Sequence, residues 1–520
     1  MKKTFRYYVD GEEAQAEYFL IPIRYILALL LATMEFLAII GILIALCYYV
    51  PYFYILCWIT EIACIIKIVS SDDNPDFKIP WLIVVMVVPI AGFMLYFMFS
   101  KRTLKKQYIK RLGYMKGNVY KKDDSEIFSR LEKENEAAAA EARMLSNIAD
   151  THLFNNTKTE YFSLGEDMHK RMLEDLLAAE KFIYMEYFII EPGKFWDSIL
   201  EILKVKAASG VEVKIIYDDI GCVGTLPGKY FMLLRQYGIN AVPFSVLRGS
   251  ADSEFNNRSH RKITVIDGKI GYTGGVNIAD EYINEVVKFG HWKDTAIRIE
   301  GDAVFELTRL FLVDYGINVK DAPAFREDLY PKMSVEAEGY LIPFGDGPSP
   351  IYDRRVGKTV IQNLLATSKK YVWMTTPYLI IDNDLCTSIE NAALRGVDVR
   401  ITVPHIPDKK IIFGMTRSFY HRLMQAGVKI YEYEPGFIHA KSYLADGERG
   451  IIGTINLDYR SLVHHFENGV WMYKCAALQA MRNDIEETMQ KSIEIKPDML
   501  KTNLITSFIR SVVRIFAPML

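Results

Sequence analysis

The chain has 520 residues, half of them apolar and 13% aromatic, with a formal net charge of −2. That length holds two core-forming units and a membrane anchor, and so apolar and aromatic a composition points to lipid contact. The six cysteines form no C-x-x-C pair and no Cys/His cluster, which argues against a zinc ribbon or a disulfide framework and suits a reducing cytosolic face.

Residues 1–24 are locally neutral, with Lys2, Lys3, Arg6 and Arg24 set against Asp10, Glu12, Glu13 and Glu17. An apolar run from Tyr25 to Cys47 follows, long enough to span a bilayer. Glu35 within it is costly unless protonated or turned toward a neighbouring helix. The run is too long for a cleaved signal peptide, and no small-residue cleavage site follows it. A second run opens at Pro51, ends near Ser70 and carries Glu61 and Lys67, so it either spans or lies in the interface. After the polar loop SSDDNPDFK, a third run from Ile79 to Phe99 predicts a spanning helix kinked at Pro89 and Gly92. Three spans place the N-terminus outside. Lys101, Arg102, Lys105, Lys106, Lys110, Arg111 and Lys116 come next, with no acidic residue before Asp123. By the positive-inside rule this cluster puts everything after it in the cytoplasm, and it attracts anionic headgroups.

Residues 123–150 read as a mostly polar surface helix that braces the first of two halves. Those halves are visible as a duplication. KFIYMEYFII at 181–190 matches KYVWMTTPYLI at 370–380, AASGVEVKIIYD at 207–218 matches AALRGVDVRITVP at 392–404, and LRQYGINAVPF at 234–244 matches LMQAGVKIYEY at 423–433. Each half alternates strand and helix, which predicts α/β layering around a largely parallel sheet. Between the halves, IPFGDGPSP at 342–350 breaks all periodicity and reads as a linker. The organisation expected is an anchor over 1–100, a basic segment and helix over 101–150, halves over 151–340 and 341–498, and a C-terminal helix over 499–520. That last helix carries Arg510 and Arg514 on an otherwise apolar surface, which suits a membrane interface or docking on the protein's own core.

Each half ends in the same pattern. HRKITVIDGKIGYTGGVN runs from His260 to Asn277 and HAKSYLADGERGIIGTIN from His439 to Asn456. Both stretches alternate like strands, so His260 projects with Lys262 and His439 with Lys441. The Asp-Gly pairs at 267–268 and 446–447 signal turns, after which a returning strand delivers Asn277 or Asn456 beside its histidine. A lone histidine on a strand is ordinary. Two matched copies, each offering an imidazole, an ammonium and a carboxamide, describe a site that grips a phosphate between paired histidines.

These residues resemble the double H-x-K-x-x-x-x-D signature of the phospholipase D superfamily. GGVNIADEY (274–282), TPYLIIDNDL (376–385), GVKIYEYEPGFIHAK (427–441) and NLDYRSLVHHFE (456–467) are similar, more narrowly, to bacterial cardiolipin synthases. The resemblance runs from about Ile79 to the C-terminus. It departs at Gly453-Thr454, where the family has Gly-Ser or Gly-Gly.

The resemblance implies a duplicated phospholipase D-like α/β/α sandwich with its active site between the halves, preceded by transmembrane helices. It implies a cytosol-facing enzyme of the bacterial cell membrane that moves a phosphatidyl group from one phosphatidylglycerol to another, giving cardiolipin and glycerol through a phosphohistidine. Membrane phospholipids would be its partners, with no nucleic acid, metal or cofactor. The same residues would also serve a phosphodiesterase hydrolysing phospholipid or nucleic acid. Within the signature His260, Lys262, Asp267, His439, Lys441 and Asp446, the two aspartates read as turn holders. Lys262, Lys441, Asn277 and Asn456 would neutralise phosphate oxygens, and Glu467 and Asp294 would orient the histidines. His464 and His465 beside Glu467 read as bystanders. By resemblance His260 is the nucleophile, and the apolar lead-in Gly436-Phe437-Ile438 disfavours a charged His439.

Overall fold

The computed structural model describes residues 2–9, 12–19, 23–50, 52–100, 109–111, 113, 123–246, 257–319, 326, 329–330, 335–349, 351–500 and 504–519. Two strands not anticipated from the sequence, β1 (Lys2–Val9) and β2 (Glu12–Phe19), form an antiparallel hairpin at the N-terminus. Two mixed sheets then dominate the fold, one for each copy of the motif.

The first sheet contains β3 (Thr157–Phe162), β4 (Phe182–Tyr187), β5 (Glu212–Asp218), β6 (Asn240–Phe244), β7 (Ile263–Ile266), β8 (Ile270–Gly274) and β10 (Ala296–Gly301). Their order is β3-β10-β8-β7-β4-β5-β6, with the short β9 (His291–Lys293) lying outside. The second contains β11 (Tyr340–Asp346), β12 (Tyr371–Thr375), β14 (Asp398–Pro404), β15 (Lys429–Tyr433), β17 (Ser442–Ala445), β18 (Arg449–Gly453), β20 (Glu467–Tyr473) and β21 (Ser492–Glu494). Its order is β11-β20-β18-β17-β12-β14-β15-β21, and β13 (Leu379–Ile380), β16 (Gly436–Ile438) and β19 (Leu457–Asp458) pair outside it.

The expectation of largely parallel sheets holds only for β4-β5-β6 and β12-β14-β15, whose strands are joined by helical crossovers. The strands that follow the histidines pair antiparallel instead. The cause is local. Asp267 and Asp446 sit at φ 52° and 56°, each followed by a glycine at positive φ. That geometry reverses the chain in a tight hairpin and leaves no room for a crossover.

Both aspartates belong at this turn and not with the histidines, which corrects their place in the catalytic signature. Asp267 lies at the far end of β7 from His260 and accepts from the backbone N–H groups of Glu180, Lys181 and Phe182 at 2.7–2.8 Å. Asp446 does the same for Lys369, Lys370 and Tyr371 at 2.7–3.0 Å. Each carboxylate therefore ties a histidine hairpin to the start of the neighbouring strand in its own half, β4 or β12.

Three further expectations are corrected. The supposed linker is in large part the edge strand β11, paired with β20 from Tyr340↔Tyr473 to Asp346↔Glu467. Pro343 is tolerated there because an edge strand can do without one N–H. The polar segment after Asp123 is two helices, α5 (Ser125–Glu134) and α6 (Glu136–Ala149), broken at Asn135, whose side chain caps α6 through Ala138 N–H. The helix α6 braces the second half and not the first: buried Glu141 accepts from Arg449 at 3.0 Å and from Trp471 Nε1 at 3.1 Å.

Near the N-terminus, α1 (Ile23–Tyr49) and α2 (Phe53–Ser70) are apolar helices, and α2 is long enough to cross a bilayer. The third run does not form one spanning helix. It folds into α3 (Pro75–Val87) and α4 (Pro89–Phe99), which turn back on each other at Val88 so that Trp81 and Tyr96 stack edge to face, 5.5 Å apart. Gly92 permits the fold, because a Cβ there would lie 2.7 Å from Val85 Cα. At ~1.5 Å per residue, neither helix reaches across ~30 Å of hydrocarbon. The hairpin rests on the catalytic part: Asp76 accepts from Tyr459 OH and Asn383 N–H, and Phe77 packs edge-on to Tyr459 at 5.3 Å. Most of the basic cluster at 101–116 lies outside the described residues. Arg111 is described, and it donates to the carbonyls of Ile317 and Val319 at a helix end. The C-terminal helix Leu504–Ile515 docks on the helix Lys410–Gln425 and on α3, with Arg514 stacked 4.3 Å over Phe419, yet it leaves Phe508 exposed.

Losing the three buried bonds of Asp267 in Asp267→Ala should destabilise the protein by about 3 kcal/mol. The amides served by Asp446 lie nearer water, so Asp446→Ala should cost about 1 kcal/mol. Thermal melts compare the two, and a midpoint for Asp267→Ala equal to wild type would refute the account.

Candidate active site

The two histidine motifs meet along a seam between the halves, and the seam is backbone-paired. His260 N–H donates to Phe466 O at 2.9 Å, and His439 N–H donates to Lys293 O at 2.7 Å. Phe466 and Lys293 each precede a candidate orienting carboxylate, Glu467 and Asp294. Next to this contact β9 of the first half runs parallel to β16 of the second. Each histidine therefore lies against the strand that carries the other half's acid.

The carboxylates are exchanged as well. His260 Nδ1 lies 3.0 Å from both oxygens of Glu467, and His439 Nδ1 lies 2.7 Å from Asp294 Oδ2. All four side chains are buried. An ionised carboxylate only accepts, so Nδ1 carries the hydrogen in each imidazole and Nε2 keeps a lone pair. Lys441 Nζ also lies 2.8 Å from His439 Nδ1, where Asp294 rather than the ammonium takes the ring hydrogen. Glu467 also receives the Thr454 hydroxyl. The residue that departs from the family pattern thus helps to hold the acid.

Alternation along the motif behaves as the sequence implied. Lys262 Nζ reaches back to His260 O at 2.7 Å, and Lys441 Nζ to His439 O. Arg261, between His260 and Lys262, points the other way into a buried ion pair with Asp314 at 2.6 Å. The asparagines are more constrained than a free phosphate clamp. Asn277 accepts from Ile189 N–H at 3.1 Å and donates to Tyr282 OH at 2.8 Å, and the Tyr282 ring stands edge-on to His439 at 5.4 Å. Asn456 donates to Asp458 at 3.1 Å, and its buried Oδ1 has no partner among the described residues.

Burial governs the charges. It pushes His260 down to about 3 and His439 to about 4. The two imidazoles are depressed alike, so the apolar lead-in to His439 does not set them apart. Burial also lowers Lys262 to about 7 and Lys441 to about 8. For Glu467, burial works against ionisation, but His260 and His465 together offset it and hold the carboxyl well below the usual range. Asp294 is lowered in the same way, with His439 and Lys441 offsetting burial. The resting site holds two neutral imidazoles, two carboxylates and two ammonium groups ready to shed their protons.

One residue was missed. His465 sits in extended backbone two positions before Glu467, just ahead of β20, with its ring centroid 5.5 Å from that of His260 and tilted by 41°. Adjacent residues do alternate, and His464 turns away toward Phe77. The informative spacing was the two-residue step from His465 to Glu467. Trp292 stands two positions before Asp294 and packs on His439 at 5.7 Å and 43°, so the halves repeat the arrangement with a different ring. Ligand atoms of His260, His465 and Glu467 lie within 4.8 Å of one another, as a divalent ion would require. The existing His260–Glu467 bonds and the nearby lysines make the set a proton-holding cluster first.

Comparison with known proteins bears on this geometry. The family described as "Cardiolipin synthase, PLD-like domain" matches residues 172–291 and 361–489, and a "Phospholipase_D-nuclease N-terminal" family matches 62–101. A cardiolipin synthase of Halalkalibacterium halodurans is 30% identical over 90% of this chain and 94% of its own. The chain belongs to the cardiolipin synthase family. Within that family, cardiolipin synthase 2 of Bacillus anthracis is 31% identical over 88% of this chain and 89% of its own. An uncharacterised protein of Streptococcus mutans is 39% identical over 88% of this chain and all of its own. Among solved structures, a phosphatidylserine synthase of Haemophilus influenzae shares the fold at a TM-score of 0.55 and 16% identity, covering 73% of this chain and 98% of its own.

The histidine assignments make a spectroscopic prediction. With His260 and His439 depressed to about 3 and 4, both should remain neutral Nδ1–H tautomers at pH 5, where unperturbed imidazoles are protonated. Histidine ¹⁵N spectra across pH 4–8, assigned with His260→Gln and His439→Gln, test this. A charged imidazolium at either position at pH 6 would contradict it.

Proposed function

We propose that the protein transfers a phosphatidyl group between two phosphatidylglycerol molecules, releasing glycerol and forming cardiolipin. The observation that carries the reading is the pair of imidazoles, each held through Nδ1 by the opposite half's carboxylate and each left with a free Nε2. Family membership supplies the substrate class. In the first step His260 Nε2 attacks phosphorus and the bond to the glycerol oxygen breaks, leaving a phosphohistidine. The approaching phosphodiester anion raises the basicity of His439, so its Nε2 takes up a proton from solvent as the substrate enters, and the resulting imidazolium protonates the departing oxygen. In the second step His439 takes the proton from the incoming hydroxyl, whose oxygen attacks phosphorus and releases His260. Lys262 and Lys441, with the remaining amide hydrogens of Asn277 and Asn456, stabilise the equatorial oxygens.

The apolar α1 and α2, with the hairpin α3–α4 seated on the catalytic part, support a membrane-anchored enzyme facing the cytosol. A hairpin that re-enters the bilayer leaves two spans and puts the N-terminus on the cytosolic side, unlike the three-span expectation. An N-terminal tag reached by a membrane-impermeant label in intact cells would sink the two-span topology.

Labelled phosphatidylglycerol offered to the purified membrane protein should yield cardiolipin and glycerol. Phosphatidic acid alone would make the protein a hydrolase. Glu467→Gln and Asp294→Asn should each slow turnover by about 10²–10⁴-fold with the fold retained. Wild-type rates in either variant would remove that carboxylate from the site. After a rapid denaturing quench, label should sit on the peptide containing His260. Label only on the His439 peptide would reverse the two roles and leave the reaction standing.

A further inference from the structure

Transfer to a lipid acceptor poses a problem that hydrolysis does not. The acceptor headgroup carries its own phosphodiester, one glycerol away from the hydroxyl that attacks. Once the first phosphate lies between His260 and His439, a second anion must be accommodated beside it.

A cavity of about 100 Å³ lies in that neighbourhood, between the start of the helix Lys410–Gln425 and the paired strands β13 and β19. Its space is on the order of three waters, the scale of a headgroup phosphate. Tyr378, Ile380, Lys409, Asp458 and Arg460 line it. Its inner wall touches the site already described. Asp458 accepts from Asn456 Nδ2 at 3.1 Å, and the Tyr378 hydroxyl donates to Asp408 at 2.7 Å with Asp458 also near it. A larger cavity of about 390 Å³ shares Tyr459 and Ala517 with it and extends under the C-terminal helix to Asp76 and Ile79 of α3. Together the two reach from the membrane anchor to the neighbourhood of Asn456.

The charges suit an anion. Among the described residues, the side chains of Lys409 and Arg460 have no ion-pair or hydrogen-bond partner, although most other described cations do. Lys409 also stands at the N-cap of a 16-residue helix, whose terminal N–H groups add positive potential. Two carboxylates oppose this: Asp458 in the lining, held by Asn456 Nδ2 and by Ser461 N–H at 2.8 Å, and Asp408 beside Lys409, held by the Tyr378 hydroxyl at 2.7 Å. Asn456 Oδ1, buried with no hydrogen-bond partner among the described residues, is an acceptor for a hydroxyl placed between the two phosphates.

We propose that Lys409 and Arg460 form a second phosphate subsite, which binds the acceptor's phosphodiester and presents its glycerol hydroxyl to the phosphohistidine. The proposal rests on the transfer reading above. The subsite favours a phosphorylated alcohol over water or free glycerol as acceptor. It places the two phosphates of the product in adjoining pockets.

The test compares two acceptors on the full-length protein in mixed micelles of phosphatidylglycerol. One assay follows cardiolipin. The other follows exchange of labelled free glycerol into phosphatidylglycerol, which needs the phosphohistidine but no acceptor phosphate. The double variant Lys409→Gln/Arg460→Gln should lower the ratio of cardiolipin formation to glycerol exchange by about tenfold or more, as expected for losing charge-assisted contacts to a phosphate. Arg460→Lys should recover part of that ratio. If both rates fall together, or if neither changes, the subsite is refuted while the transfer function stands. Glycerol exchange without any cardiolipin in the wild type would overturn the transfer function itself, and the subsite with it.

Discussion

The exchange of carboxylates across the seam is the constraint on which the rest depends. His260 finds its acceptor on β20 of the second half, and His439 finds its own just before β10 of the first. Neither half holds a complete imidazole–acid pair, so docking the halves and forming the site are one event. The backbone contacts His260–Phe466 and His439–Lys293, with the β9–β16 pairing, set the register in which both pairs close. The two aspartate-held turns then fix each hairpin within its own half.

Burial at this seam would be ruinous for isolated charges, and most of the charges there are held by a hydrogen-bonding or ion-pair partner. Glu467 and Asp294 face imidazoles, Arg261 faces Asp314, and Arg258 is bonded to Asp218 by three contacts of 2.9–3.0 Å. Lys262 and Lys441 are the exceptions. They bond to backbone carbonyls and are depressed to about 7 and 8 by burial and, for Lys262, by the second ammonium. A bound phosphodiester supplies the negative charge they lack, so substrate binding completes the electrostatics of the fold.

The motif spacing made much of this legible. Two-residue periodicity correctly paired His260 with Lys262 and His439 with Lys441, and the duplicated segments marked two equivalent halves. Partner choice was not legible, because nothing local says that an acid lies across a seam and not within its own repeat. His465 was discounted by applying alternation to its immediate neighbour when the step of two to Glu467 was the informative one. Pro343 hid an edge strand, since a proline there looks the same as one in a linker. The run from Ile79 to Phe99 is apolar enough to span, but the close approach of Gly92 to Val85 that folds it back is a tertiary fact.

The crossed pairing also bears on how such a sequence can drift. Glu467 lies 207 residues from the histidine it serves, and Asp294 lies 145 residues from its own. A substitution beside His260 is therefore felt first on β20, not at Lys262's own turn. Correlated changes among relatives should link the surroundings of position 260 with those of 467, and 439 with 294. Although they began as copies, the two repeats are free to diverge from each other only as a matched pair.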